Sequence, residues 1–297
     1  MNAIRLHLVL LLFIPGILFS QSEQTPPTVV TELSPGIYRI FYASRVSLVA
    51  FTGDEGLMLV DDAYERSAGE IRSKLDSIGA GPLRYIVNTH WHGDHTGGNI
   101  SFGEGVDIIA HEQVKEMLSH DQQSLGKEKP ALPEYAQPNI TFSDRMTIRF
   151  NGEDIQLIHL PGGHTGGDIL VWFSKAKVLV MGDLIFADSF PYVDVEHGGN
   201  PVRYVENLRW VTENFPDDIT IVPGHGRIYS MEDLRSWKSD LQKTIEIIRE
   251  AYDSGLSPDQ MKEQKVLSPY EDLGKWWITE DNWIDVVMKN QDSYIFP

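Results

Sequence analysis

The stretch Thr89-His90-Trp91-His92-Gly93-Asp94-His95-Thr96-Gly97-Gly98 constrains this chain more than any other. It sets three histidines and an aspartate within six residues, in a chain with only ten histidines. The apolar run Leu83 to Val87 before it reads as a buried strand. Gly97 and Gly98 after it permit tight turns. The ligand-rich piece is therefore a loop at a strand end, and loops on rigid scaffolds are where chemistry sits. Neutral imidazole and carboxylate suit zinc, iron and similar divalent ions. His90 and His92 are two apart, so on extended backbone both rings point the same way and close on one ion. Asp94 and His95 follow the flexible Gly93 and are free to face a second ion.

Three later segments repeat the pattern of strand end, glycine and ligand. Pro161-Gly162-Gly163-His164-Thr165 follows the apolar Ile155–Leu160 segment. Met181-Gly182-Asp183 ends the strand-like run Val178–Met181, and Pro223-Gly224-His225-Gly226 follows Ile219–Val222. Strand ends on one side of a sheet converge on a single site.

His-X-His-X-Asp-His, then Gly-His-Thr, Gly-Asp and Pro-Gly-His, in that order, resembles the metallo-β-lactamase superfamily of metal-dependent hydrolases. The likeness covers roughly residues 28 to 228. It implies a four-layer αββα sandwich, an α/β fold with the site at one edge of two sheets. It also implies a first metal on His90, His92 and His164, a second on Asp94, His95 and His225, and Asp183 bridging both. An aspartate at Asp61 or Asp62 braces the metal loop in that superfamily; an ordinary strand-end carboxylate is the other reading.

Such a set exceeds the needs of one tetrahedral ion, and two ions with a shared carboxylate account for the surplus. Two carboxylates and a bridging hydroxide leave two divalent ions net positive, which favours an anionic substrate group and an oxyanion. The expected reaction is attack of that hydroxide on an acyl carbon, with Asp94 orienting it and passing its proton on. The expected substrate is a small molecule with an ester, thioester, lactone or amide bond. The chain has no cysteine, so thiolate ligands are excluded. Diiron members typically carry glutamate where this chain has His92. Two zinc ions per chain are therefore expected, with iron or manganese as alternatives.

β-Lactam hydrolysis is a second expectation, weakened by the sequence. The β-lactamase subclass with a zinc-binding cysteine has it where Asp183 stands, with a lysine three residues on; here that residue is Phe186. The bridging aspartate resembles the glyoxalase II-like, esterase and lactonase branches instead. A mononuclear-iron persulfide dioxygenase and a metal-retaining binding protein are further alternatives.

Net charge is −18, with 43 acidic and 25 basic residues. That field repels nucleic acid. Residues 1–20 read as a signal peptide: Arg5, then the mostly apolar Leu6 to Phe19, then the small Ser20. Export to the periplasm or the extracellular space is expected, with no stable membrane span after cleavage; an uncleaved anchor is the alternative. The metallo-β-lactamase-like domain is expected over 28–255 and an aromatic helical tail over 256–297, packed on the domain or forming a homodimer contact.

Successive strands are expected at Val29–Leu33, Ile37–Tyr42, Val46–Thr52 and Gly56–Val60. Ser67-Ala68-Gly69-Glu70 resembles a capping box opening a helix. Residues 119–138, polar with three prolines, read as a long surface loop, either a cover or a plain insertion. Asn200 and Pro201 read as N-cap and first residue of another helix. Between Asp183 and that helix, Phe186, Phe190 and Tyr192 are candidates for the substrate wall, with core packing as the alternative. His197 is a candidate substrate contact. His111 and His120 read as surface or capping residues, and His159 as a core histidine.

Overall fold

Alternation along the third strand decides the layers. In Val46–Gly53, Val49 and Phe51 point one way and join Phe150, Val171, Phe173, Val178 and Val180 in one core. Leu48 and Ala50 point the other way and pack with Ile71 and Leu75 of a helix. A strand buried on both faces belongs inside a layered α/β fold.

The computed structural model describes residues 26–124 and 126–290. The signal segment expected over residues 1–20 and the last seven residues of the tail lie outside the described residues. Among the described residues no helix is long and apolar enough to cross a membrane.

The strands are β1 (Val29–Ser34), β2 (Ile37–Tyr42), β3 (Val46–Gly53), β4 (Gly56–Val60), β5 (Leu83–Val87), β6 (Asp107–His111), β7 (Gln122–Ser124), β8 (Lys127–Lys129), β9 (Ile140–Phe142), β10 (Arg145–Phe150), β11 (Glu153–His159), β12 (Ile169–Phe173), β13 (Val178–Phe186) and β14 (Thr220–His225). One sheet has the order β1-β2-β3-β4-β5-β6-β9 and the other β10-β11-β12-β13-β14. β7 and β8 pair only with each other. The helices are α1 (Ala68–Ser77), α2 (Gly93–Thr96), α3 (Asn99–Phe102), α4 (Glu112–Ser119), α5 (Pro201–Asn214), α6 (Met231–Asp253), α7 (Pro258–Glu263) and α8 (Glu280–Lys289).

The first sheet's outer face packs on α1 and Phe102 of α3. The second sheet's outer face, through Leu170, Trp172, Leu179 and Met181, packs on α5, α6 and α8. The result is the four-layer αββα sandwich. Asn200 caps α5 through its side chain, accepting from the Val202 and Arg203 amides, with Pro201 first in the helix. α6 opens with a full capping box between Ser230 and Asp233.

The expected boundaries need four corrections. Ser67 makes no capping hydrogen bond; its hydroxyl donates to the Tyr64 carbonyl within a short 3₁₀ turn that leads into α1. β13 does not stop at Met181 but runs on to Phe186, with its register shifted around Gly182. β14 likewise runs through Pro223 and Gly224 to His225. The 119–138 segment is not a bare loop, since it holds the β7–β8 hairpin and a 3₁₀ turn at Glu134–Ala136. Local pattern cannot show a strand continuing through a glycine when pairing with its neighbour is what sustains it.

His111 is buried and not a surface residue; it caps α4 and stacks on His159 at 3.7 Å. Over residues 256–290 the tail packs into the core on the outer face of the second sheet. Trp283 is fully buried, stacks on Phe190 at 5.5 Å and donates from its indole to Thr244 at 2.9 Å. Trp283→Ala should cost about 3–5 kcal/mol of unfolding free energy, read from urea denaturation. A loss under about 1 kcal/mol would show that the tail lies outside the cooperative unit.

Candidate metal centre

Two loops and two strands bring the ligand residues to one edge of the sandwich. His90 and His92 leave the end of β5, and α2 presents Asp94 and His95. His164 comes from the turn between β11 and β12. Asp183 and His225 come from adjacent strands, β13 and β14, whose pairing is parallel. That pairing is close because of glycine. Gly182 adopts φ +52°, and any side chain there would strike Thr89; a side chain at Gly224 would collide with the Asp183 carboxylate.

His90, His92, His164 and Asp183 form one cluster and Asp94, His95 and His225 a second, each with ligand atoms within 4.8 Å of one another. Asp183 stands between them, its oxygens 3.1 Å from His95 Nε2, 3.3 Å from His225 Nε2 and 3.5 Å from His164 Nε2.

Each imidazole is tied on its outward side. His95 Nδ1 donates to Asp61 at 2.7 Å, His164 Nδ1 to the Tyr192 carbonyl at 2.8 Å and His225 Nδ1 to the Arg45 carbonyl at 2.6 Å. His92 Nε2 donates to Asp194 at 2.8 Å. His90 Nδ1 lies 3.1 Å from the Thr89 hydroxyl, which itself donates to Asp61 at 2.7 Å. An imidazole whose outer nitrogen carries the proton offers a lone pair on the other. All five inner nitrogens face the common space. Three of them, on His90, His95 and His225, are buried without a hydrogen-bond partner, as is Asp183 Oδ1. Buried polar atoms left unpaired are costly unless something pairs them, and these are the donor atoms of a divalent metal site.

The electrostatics agree. Burial pulls His92 down to about 4 against the opposing Asp194 bond, so it stays neutral. Burial opposes the charge on His225, but Asp183 and Asp94 outweigh it and raise it to about 10. His95 is raised in the same way, burial being outweighed by Asp183, Asp61 and Asp94. Asp183 and Asp94 are held ionised; burial resists this, and the surrounding histidines overcome it.

Of the two strand-end carboxylates, Asp61 is the brace. It also accepts from the Thr89 amide at 2.8 Å. Asp62 is fully buried beside Gly98, and burial followed by the Asp61 charge raises it well above the usual carboxylate range.

The substrate-wall candidates divide. Tyr192 lines a cavity of about 440 Å³ over the centre, with Tyr64, His92, Asp94, Asp183, Lys129 and Trp277. Phe186 and Phe190 are wholly buried and do not line it. Phe186 stacks behind His225 at 4.9 Å, and Phe190 belongs to the core against Trp283. Next to a strand that carries a ligand, the inward face is the core face, and here it took both rings. His197 does not line that cavity; it bonds Asp194 at 2.8 Å and lies against Trp91. Sequence reasoning missed Asp194, Lys129 and Trp277. Trp276 and Trp277 are 51% and 45% exposed, but nothing in the sequence pattern marks these residues for the site.

The sequence model of the metallo-beta-lactamase superfamily matches residues 40–240. The chain is 23% identical to the metallo-beta-lactamase type 2 of Bacteroides fragilis across 227 residues, 73% of this chain and 86% of that protein. It is 28% identical to the 2,4-dinitroanisole O-demethylase subunit alpha of Nocardioides sp. (strain JS1661), across 58% of this chain and 49% of that one. Among solved structures it is similar to a metallo-beta-lactamase from Pontibacter korlensis, with TM-score 0.58, 20% identity and coverage of 73% and 99%. It is also similar to a stereoselective inverting sec-alkylsulfatase from Pseudomonas sp., with TM-score 0.67, 13% identity, 91% of this chain and 52% of that one.

Two outcomes follow from the geometry. Metal binding at pH 7 should release about two protons, those of His95 and His225, read from the buffer dependence of the calorimetric enthalpy; affinity then falls as pH falls. Asp194→Ala, which frees His92 to rotate, should weaken metal binding about 10–100-fold in a chelator competition while leaving the fold's circular dichroism unchanged.

Proposed function

Because this chain belongs to the metallo-beta-lactamase superfamily, whose members are metal-dependent hydrolases, we propose that it is an exported dinuclear zinc hydrolase. Its substrate is a small molecule with an ester, thioester, lactone or amide bond. The observation that carries the reading is the pair of ligand clusters sharing Asp183, with inward nitrogen atoms and no sulfur. His90, His92 and His164 would hold one ion, Asp94, His95 and His225 the other, and Asp183 both. When bound, such ions lower the pKa of a shared water towards neutrality and polarise the scissile carbonyl.

The chain's own groups do the rest. Asp94 is ionised, its side chain is 22% exposed to the cavity, and its Oδ2 lies 3.4 Å from His225 Nε2. It accepts a hydrogen bond from the attacking water, orients it, and returns the proton to the leaving group. Tyr192 and Trp277, 5.1 Å apart, form an aromatic wall that excludes bulk water from one side. Export rests on Arg5 and the apolar run that follows it.

The likeness to β-lactamases supports one competing reading, cleavage of a β-lactam ring, against which stands an aspartate where a zinc-binding cysteine would be. The deciding experiment is elemental analysis of the mature protein beside initial rates on a β-lactam, a thioester and a lactone. About two zinc per chain with turnover of a thioester or lactone supports the proposal. Turnover of the β-lactam alone transfers the assignment, and one iron with oxygen uptake and no hydrolysis overturns it. Asp183→Ala should lose metal and turnover together, by more than the roughly 100-fold that removing an outer partner costs. An active, fully metallated variant would sink the scheme.

A further inference from the structure

The β7–β8 hairpin carries one ammonium group onto the metal centre. Lys129 Nζ lies 4.9 Å from the centroid of the Trp91 ring. A side chain added at Gly93 would meet that same nitrogen at 3.2 Å. The charge therefore sits over the backbone between His92 and Asp94, at the floor of the 440 Å³ cavity. Lys129 is half-buried, and among the described residues its side chain has no hydrogen bond and no ion pair. The carboxylates within electrostatic reach, Asp94 and Asp194, are engaged by His225 and by His92 with His197. The π face of Trp91 is its one close partner, worth well under an ion pair. In a chain of net charge −18, none of the carboxylates among the described residues forms an ion pair with it. An ammonium withdrawn from water without an anion is a cost that a bound anion removes.

The opposite wall has complementary chemistry. Trp277 comes from the tail, is 45% exposed, and faces Tyr192. Large flat rings left open beside a polar floor are how pockets hold an apolar body while a few charges fix its orientation. Lys127 and Glu128 of the same strand are exposed and lie at the rim. A second lobe of about 430 Å³, on the far side of Trp277 and Tyr64, carries the exposed Arg45 beside Asp94 and His225.

We propose that Lys129 is the anion-recognition residue of this centre. It binds a carboxylate or sulfonate-like group of the substrate, while Trp277 and Tyr192 hold a flat apolar body. The substrate class is then an organic acid with a flat apolar body. The word substrate rests on the hydrolase reading above; the binding preference does not require turnover.

The test is equilibrium binding to the full, metal-loaded protein, followed by tryptophan fluorescence. The probes are 2-naphthalenesulfonate and the neutral 2-(methylsulfonyl)naphthalene, which share a ring system. Wild type should bind the anion roughly tenfold more tightly than the neutral probe, as one charge-assisted contact implies. Lys129→Met should abolish that preference while leaving metal content unchanged, and Lys129→Arg should restore most of it. Trp277→Ala should weaken both probes alike. Arg45→Met should leave the preference intact. Equal binding of the two probes by wild type overturns the proposal, as does a preference that survives Lys129→Met. So does a preference lost with Arg45→Met or on metal removal but not with Lys129→Met, because the anion would then sit on Arg45 or on the ions. If the preference follows Lys129 but no acyl compound is turned over, the anion site stands and the hydrolase reading falls.

Discussion

Everything at the centre depends on one constraint: each of five imidazoles is tied from behind by an acceptor that fixes which nitrogen carries the proton. Asp61 alone holds His95, the Thr89 amide and the Thr89 hydroxyl, and through that hydroxyl reaches His90. The Tyr192 and Arg45 carbonyls and Asp194 hold the others. A ring held in this way is set at a fixed angle before any ion arrives, and needs to give up only an inner proton, where it carries one, to bind it. The same ties explain why the inner atoms are left bare and buried. The protein has placed its unsatisfied groups together, where a divalent cation satisfies them at once.

These anchors come from both sheets. Asp61 follows β4 and Arg45 the β2–β3 turn of the first sheet, whereas Tyr192 and Asp194 follow β13 of the second. Arg39 adds a further tie, buried on β2, bonded to Ser47 and reaching across to the Gly226 carbonyl just past His225. Each ligand cluster draws on both sheets, with His90, His92, Asp94 and His95 from the first and His164, Asp183 and His225 from the second, so the apolar core between them, with Val49, Phe51, Val171 and Phe173, sets how closely the two halves of each cluster approach. Packing of this density transmits small changes of core volume.

The substrate side is built from different material. The metal ligands lie on strand ends and tight glycine turns, but the cavity above them is walled in part by the hairpin that follows α4 and by a tryptophan from the tail. Proteins similar to this chain in sequence or in fold carry names as different as a metallo-beta-lactamase, an O-demethylase subunit and a sec-alkylsulfatase. A wall built from segments that carry no ligand can change without moving one.

The ligands were legible because metal chemistry restricts residue types and the order strand end, glycine, ligand recurs three times after the histidine-rich loop. The strands of both sheets were legible because burial on two faces leaves a continuous or alternating apolar record. Phe186 and Phe190 could not be assigned from order alone: an aromatic beside a ligand serves a wall or a core equally well in one dimension, and the side of β13 it faces decides. Asp194 carries no local mark, being one carboxylate among 43 acidic residues until the fold sets it against a histidine 102 positions away. Lys129 and Trp277 lie far from the motif and from each other in the chain, and only the hairpin and the tail bring them to one cavity. The sequence by itself determined the chemistry of the centre, because ligand identity is a local property of residues. The tertiary structure alone decided what surrounds it, because contact between distant segments is set by packing and leaves no periodic trace in the chain.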